Sequence, residues 1–307
     1  MKYLISIIIP VRNDRRIAKT LECLRVQTRI DSYEILVIDS SSNHELEDIK
    51  NKFRKDVKWV KYVSEDKRKR TTVSQINYGV SLAQGDIIAF IDSDCIPAKD
   101  WLHNLTLPML SGEEEYCAGY VKSLNDTSYM DVFWEKNSVN TYVSYCPNMN
   151  SAVNKKLFAS IGLYDEKNFN YGWDVDFSWR AIENGYKIRF VRDAIIFHDW
   201  GSVKSNIKRN YYYGVAKVKL YLKHKDQVKK IIKDDFFAVK YPALILSLPI
   251  SIIFPLFIPL ILYFTIKDVA RLKSKLSTVI YNYSYGWGIL FGVISNVLKS
   301  LKYFRLM

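Results

Sequence analysis

At 307 residues the chain exceeds one average domain, so a catalytic-size α/β unit with an appendage is expected. Four cysteines, Cys23, Cys95, Cys117 and Cys146, show neither Cys-x-x-Cys spacing nor the density of a disulfide scaffold, so they read as reduced, mostly structural thiols that indicate neither zinc nor redox chemistry. The net charge of +13 would suit nucleic acid, but no zinc-finger spacing or RNP-type motif accompanies it, and nucleic acid is not expected as a partner.

The first hundred residues alternate short apolar runs with amphipathic stretches. Leu4–Ile9, Glu34–Asp39, Val57–Val63 and Ile87–Ile91 read as strands, and Ile17–Val26, Leu46–Phe53 and Val73–Ala83 read as the helices between them. Such βαβαβαβ order predicts a mostly parallel sheet with helices on both faces. Met1-Lys2-Tyr3 runs straight into Leu4–Pro10, too short a stretch for a signal sequence, so this part is expected to stay in the cytoplasm. Pro10-Val11-Arg12-Asn13 follows the first strand where a dinucleotide-binding turn would carry Gly-x-Gly-x-x-Gly. The second strand ends in Asp39, followed by the polar Ser40-Ser41-Ser42-Asn43.

Gly85 to Asp94 is the most informative stretch. Ile87 to Ile91 form a continuous apolar run, as in a strand covered on both faces, and Asp92 and Asp94 follow at its carboxyl end, where open α/β sheets bind ligands. With Ser93 between them, the two carboxylates can turn toward one hard cation, Mg²⁺ or Mn²⁺. The plainer alternative is a polar turn ahead of Pro97.

Beyond it, Trp101–Leu110 reads as helical and Tyr116–Val121 as extended. Turn signals at Ser160-Ile161-Gly162 and Asn184-Gly185 bracket a helix start in Tyr171–Arg180, with Gly172 as the turn and Asp174 or Asp176 near the helix amino terminus. Trp173 and Phe177 would share one face, and Asp176 could pair with Arg180. A capped amphipathic helix with one ion pair accounts for that pattern without further function.

From Gly201 to Lys240, 11 Lys and Arg stand against 3 Asp, directly before the charge-free run Pro242–Ile266. A basic belt beside an apolar segment is the pattern of a membrane-proximal region. Twenty-five residues exceed the roughly 30 Å hydrocarbon core if helical, but Pro242, Pro249, Pro255 and Pro259 interrupt them. A second apolar stretch, Ser277–Leu298, follows a basic loop with Lys267, Arg271, Lys273 and Lys275 and precedes Lys299, Lys302 and Arg305. Two arrangements stay open: a pair of spans, or re-entrant and interfacial segments inserted from the cytoplasmic leaflet. Buried helices of a large soluble domain are the third possibility.

Taken together, Ser6–Asn13, Glu34–Ser40, Gly85–Asp94 and Trp173-Asp174-Val175-Asp176 resemble family 2 glycosyltransferases of the GT-A fold, over roughly Met1 to Ser202. The resemblance implies a Rossmann-like GT-A catalytic domain over 1–203, a basic juxtamembrane region over 204–240 and membrane-associated helices over 241–307. It implies inverting transfer of a sugar from a UDP-, GDP- or dTDP-linked donor, with Pro10, Val11, Asn13 and Asp39 as the pocket for base and ribose. Asp92 and Ser93 would lie near ribose and sugar, Asp94 would be the direct ligand of Mn²⁺ or Mg²⁺, and His198 would complete the metal site or touch the phosphates. Asp174 would be the general base, with Trp173 replacing the family's usual Glu. Ile76 stands where the family often has Arg before Asn77; with Asn77 among the donor-binding residues, Arg70 would supply the phosphate contact instead, though Lys67-Arg68-Lys69-Arg70 could equally be a solvated charge run. The Gln-x-x-Arg-Trp motif of processive synthases is missing, and Lys208–Gly214 is basic and aromatic instead. This argues for single-sugar transfer to a membrane-borne acceptor such as a polyprenyl-linked saccharide or glycolipid, with membrane lipid as a further partner, at the cell membrane. A processive polysaccharide synthase and a non-catalytic nucleotide-sugar-binding scaffold remain the alternatives.

Overall fold

A computed structural model describes residues 5–30, 32–42, 44–63, 71–124, 141–229, 235–254, 257–271 and 276–304, and the chain divides into two compact units, 1–199 and 200–307. The first unit is built on one sheet. Its strands are β1 (Ile5–Val11), β2 (Tyr33–Asp39), β3 (Lys58–Lys61), β4 (Ile87–Ile91), β5 (Cys95–Pro97), β6 (Tyr116–Ser123), β7 (Tyr142–Val143), β8 (Asn150–Asn154) and β9 (Ile188–His198). They lie in the order β3-β2-β1-β4-β8-β6-β9-β5, with β7 on β9.

β1 pairs in parallel with β2 and β4, and β2 with β3, as the alternating sequence pattern predicts. Every residue of β1 and β4 is buried, which is why both read as unbroken apolar runs. Past β4 the sheet turns mixed: β8 runs antiparallel to β4 and β6, while β6 and β9 are parallel. The helices are α1 (Ile17–Leu24), α2 (Glu47–Phe53), α3 (Thr72–Leu82), α4 (Trp101–Leu110), α5 (Lys155–Ile161) and α6 (Trp173–Glu183). The expected helix Trp101–Leu110 and strand from Tyr116 both form.

The amino-terminal edge of the parallel strands is tied by buried polar groups. Ser6 Oγ donates to Glu34 Oε1 at 2.6 Å and accepts from the Gly85 amide at 2.8 Å, and Gln84 N donates to the same Glu34 oxygen at 2.6 Å. Gly85 is required there, since a Cβ would come within 2.7 Å of the Ser6 backbone nitrogen.

The second unit is helical: α7 (Val203–Lys223), α8 (Lys225–Val228), α9 (Phe237–Ile253), α10 (Phe257–Arg271) and α11 (Leu276–Phe304). Ser202 caps α7 by accepting the Ser205 amide at 3.2 Å. α7 and α11 lie alongside each other in the same direction, Ile207 meeting Ser284, Gly214 meeting Gly288 and Val218 meeting Gly292. At Gly214 and Gly288 the helix backbones touch, the two Cα positions being so close that a Cβ on Gly288 would lie 3.1 Å from the Gly214 Cα and collide with the Tyr211 carbonyl. Asp235, just before α9, accepts from Lys217 at 3.1 Å, Tyr221 at 3.1 Å and Tyr285 at 2.8 Å, and so joins α7 to α11. Gly288→Val is expected to destabilise this unit by about 3 kcal/mol or more, because the obstacle is backbone that cannot repack. Thermal unfolding of the full chain followed by circular dichroism measures it; an unchanged melting profile would contradict the contact.

The charge-free run Pro242–Ile266 is divided between α9 and α10, with Pro242 and Pro249 inside α9, and among the described residues no helix is long and apolar enough to cross a membrane. The expectation of two spans therefore finds no helix to carry it. α9, α10 and α11 nonetheless expose large apolar side chains, including Leu246, Leu248, Leu262, Ile266, Trp287, Phe291, Ile294 and Leu298.

Candidate functional site

The chain leaves β4 in a tight turn, with the Cys95 amide donating to the Asp92 carbonyl at 3.2 Å. Thr20 of α1 fixes that turn from below, its buried hydroxyl within 2.9 Å of the Ser93 carbonyl and 2.8 Å of the Cys95 carbonyl. The result is a cleft of about 200 Å³ lined by Pro10, Val11, Arg12, Asp14, Thr72, Gln75, Asp92, Ser93 and Asp94. It lies where β1 and β4 end and α3 begins, at the carboxyl edge of the parallel strands.

Arg16 organises the charge at this edge. Its guanidinium reaches Asp14 at 2.9 Å, Asp94 Oδ2 at 3.3 Å and Asp199 at 3.6 Å, so one cation serves three carboxylates. Hydrogen bonding to Asp14, ahead of the charges of Asp94 and Asp199, raises the Arg16 pKa. Burial pushes the Asp14 carboxyl up, but the hydrogen bonds and charge of Arg16, with Ser93 Oγ donating at 3.2 Å, outweigh it and hold Asp14 below its ordinary 3.8. A depressed folded-state pKa means stability that is present above the ordinary value and lost as pH falls through the folded one. Asp14→Asn is therefore expected to lower the melting temperature at neutral pH, and the gap from wild type should close below pH 3.8. Calorimetric scans between neutral and acid pH check it; a gap that widens in acid would be the wrong sign.

Asp94 has a second neighbour. His198, the last residue of β9 and buried, places Nε2 3.5 Å from Asp94 Oδ1. One carboxylate oxygen and one imidazole nitrogen thus converge from positions more than a hundred residues apart in the chain, and Cys95 Sγ joins them with the three ligand atoms all within 4.8 Å. This donor set fits a divalent ion.

Of the other residues singled out in the sequence, Pro10, Val11, Asp92 and Ser93 line the cleft with Asp94. Asn13 holds a left-handed backbone, φ 50°, and clamps the loop after β1 to the loop after β2: its amide donates to Ser41 Oγ at 2.8 Å and its side-chain oxygen accepts from Ser42 N at 3.3 Å. Asp39 is buried and accepts from the Ser41 amide at 2.7 Å and the Trp59 indole at 3.3 Å, with Lys61 3.5 Å away. It is not among the cleft-lining residues. Neither is Asn77, whose amide holds the Tyr164 backbone by both edges at 2.9 and 3.1 Å. Arg70 lies outside the described residues.

α6 opens at a left-handed Gly172, φ 75°, and carries Asp174 and Asp176 in its first turn. The two carboxylates differ in what they meet. Asp176 is fully buried and bonded to Arg180 at 2.9 Å, and Arg180 also reaches the carbonyls of Ile161 and Leu163, so this pair fastens the loop ahead of the helix. Asp174 is half-buried, accepts from the Val175 amide at 2.9 Å, and its charge helps raise the Cys146 and Tyr164 pKa values, which burial already pushes up, Cys146 to about 12. It does not line the 200 Å³ cleft. Trp173 and Phe177 share the expected face, both packing on Tyr164, with ring centroids 4.9 and 4.6 Å away.

Arg16, Asp14, Thr72 and Gln75 are parts of the site that sequence reading misses. Gln75 is the most legible in retrospect: a buried amide within an apolar helical stretch, it donates to the carbonyls of Val11 at 3.0 Å and Ile38 at 2.6 Å and ties the ends of β1 and β2 together.

Comparison with known proteins places this geometry. The model of the glycosyl transferase family 2 domain matches residues 6–162. The glycosyltransferase AglE of Haloferax volcanii is 23% identical over 243 residues, covering 74% of this chain and 77% of AglE. The pre-mycofactocin glycosyltransferase of Mycobacterium tuberculosis is 26% identical over 246 residues; the match spans 74% of this chain and half, 50%, of that protein. Among solved structures, the mannosyltransferase PcManGT of Pyrobaculum calidifontis, in complex with GDP-Man and Mn²⁺, superposes with a TM-score of 0.63 at 16% identity over 95% of this chain and 88% of its own. Staphylococcus aureus TarS 1-349 in complex with UDP-GlcNAc gives 0.53 at 19% identity, over 74% of this chain and 70% of that one.

Proposed function

The chain belongs to glycosyl transferase family 2, and on that premise we propose that it moves a single sugar from a nucleotide-diphosphate donor to a hydroxyl of a membrane-borne acceptor, with inversion. The observation that carries this reading is the meeting of Asp94 and His198, 3.5 Å apart, at the rim of a cleft closed by the ends of β1 and β4. Relatives of the same fold that hold GDP-Man with Mn²⁺, or UDP-GlcNAc, support a nucleotide-sugar donor.

In this reading the donor's nucleoside lies along Pro10, Val11, Asn13 and Asp39, and Asp92 and Ser93 orient its ribose and sugar. Asp94 and His198 would hold a divalent ion, Mn²⁺ or Mg²⁺, and such an ion would supply positive charge beside the diphosphate leaving group. Arg16 lies against Asp94 Oδ2 and leaves Oδ1 turned to His198. Asp174 takes the proton of the acceptor hydroxyl as its oxygen bonds to the anomeric carbon and the carbon–oxygen bond to the diphosphate breaks on the opposite side. Trp173 packs on Tyr164 at the position of the family's usual Glu.

The helical unit supplies the membrane attachment in this reading. Its exposed apolar side chains on α9, α10 and α11, with the lysine-rich α7, suit helices lying in the plane of an anionic leaflet. The catalytic unit then works on the cytoplasmic side of the cell membrane. Incubating the purified chain with Mn²⁺, labelled UDP-, GDP- and dTDP-sugars and a polyprenyl-linked saccharide tests the whole: one added sugar is expected. A ladder of products would indicate a processive synthase, and donor binding without transfer or hydrolysis would indicate a scaffold.

A further inference from the structure

Directly after Asp94 stands Cys95, fully buried at the first position of β5. β5 runs antiparallel to β9 with Cys95 opposite His198, and directly opposed residues of an antiparallel pair present their side chains to the same face. Asp94 Oδ1 lies 4.0 Å from Cys95 Sγ and 3.5 Å from His198 Nε2. The other oxygen, Oδ2, faces Arg16 at 3.3 Å, so the two oxygens divide their partners and Oδ1 is the one turned to thiol and imidazole. One ligand atom from each of the three residues lies within 4.8 Å of the others. In a tetrahedral site with bonds of about 2.0–2.3 Å, ligand atoms stand roughly 3.3–3.7 Å apart, so a contraction of about 1.5 Å or less completes the set.

We propose that Cys95 is a third protein ligand of the ion, which is then held by one oxygen, one nitrogen and one sulfur with an open position for the donor's phosphates. Three protein ligands and one open position is the arrangement of catalytic rather than structural metal sites. The backbone is prepared for it, since Thr20 pins the carbonyls on both sides of Asp94. Ligation replaces the sulfur–hydrogen bond with a metal–sulfur bond and releases the proton to solvent. A thiolate shifts selectivity away from Mg²⁺, which demands oxygen ligands in octahedral array, toward Zn²⁺ and Co²⁺. The inference rests on the metal-dependent reading given under Proposed function and adds the ion's chemical preference to it.

Cobalt(II) reports thiolate ligation directly. Titrating the reduced full chain with Co²⁺ is expected to give a thiolate-to-cobalt charge-transfer band in the near ultraviolet that saturates at one ion per chain. Cys95→Ser should still bind Co²⁺ through Asp94 and His198 but without the band, and should bind Zn²⁺ at least about tenfold more weakly, with Mg²⁺ affinity unchanged. Cys23→Ser, at a half-buried thiol on α1, should keep the band. Stoichiometric Co²⁺ without the band in wild type overturns the role of Cys95 and leaves the Asp94–His198 metal reading standing. A band that survives in Cys95→Ser overturns it equally. No Co²⁺, Mn²⁺ or Mg²⁺ bound at all overturns both. Circular dichroism of the variants, with Cys95→Ala as a second replacement, separates loss of a ligand from loss of fold, and the wild-type spectrum decides without any variant.

Discussion

Asp174→Asn is expected to lower turnover by about 10²- to 10⁴-fold while donor affinity changes by less than about twofold. The replacement keeps shape and the oxygen that accepts the Val175 amide at 2.9 Å, so α6 keeps its first turn and only the ability to take a proton is lost. Asp176 is the internal contrast. It sits two residues on, is fully buried and is committed to Arg180, so Asp176→Asn should unfasten the 161–163 loop and appear first as lost stability. Comparing kcat, donor affinity by calorimetry and melting temperature for the two variants separates base from brace. Lost donor binding in a folded Asp174→Asn protein would sink the assignment of Asp174 as base.

Asp94→Ala should weaken Mn²⁺-dependent nucleotide binding by about 100-fold, the upper range for disturbing a metal's surroundings and a lower bound for removing a ligand. The fold should survive, because the turn is held by Thr20 through backbone carbonyls and Arg16 keeps Asp14 and Asp199 as partners. Calorimetry with UDP, GDP and dTDP, with and without Mn²⁺, is the measurement. Whichever nucleotide binds wild type in a metal-dependent way should bind the variant no better with Mn²⁺ than without; unchanged metal-dependent affinity would remove Asp94 from the metal site.

The parallel half of the sheet is legible in the sequence because burial on both faces leaves strands no polar positions, as in Ile5–Val11 and Ile87–Ile91. The antiparallel return of β8 beside β4 is not legible, since Asn150–Asn154 is short and its pattern carries no direction. Asp94 stands out as a carboxylate ending an apolar run. Arg16 does not, because an arginine in a polar loop looks like any solvated charge until three carboxylates from separate parts of the chain converge on it. Asn77 reads in the sequence as a ligand contact, and its hydrogen bonds to the Tyr164 backbone are visible only in the fold. In the carboxy-terminal part, hydropathy alone suggests one long charge-free segment, while the interruption after Ile253 divides it into α9 and α10.

The direct backbone contact between Gly214 and Gly288 bears on what surroundings the helical unit can tolerate. An association made by backbones in van der Waals contact, and fastened by Lys217, Tyr221 and Tyr285 on Asp235, does not rest on expelling water alone. Such a pair of helices keeps its partner when the solvent on its outer face changes from water to hydrocarbon. Detergent or lipid that dissolves an ordinary apolar interface is expected to leave this one intact.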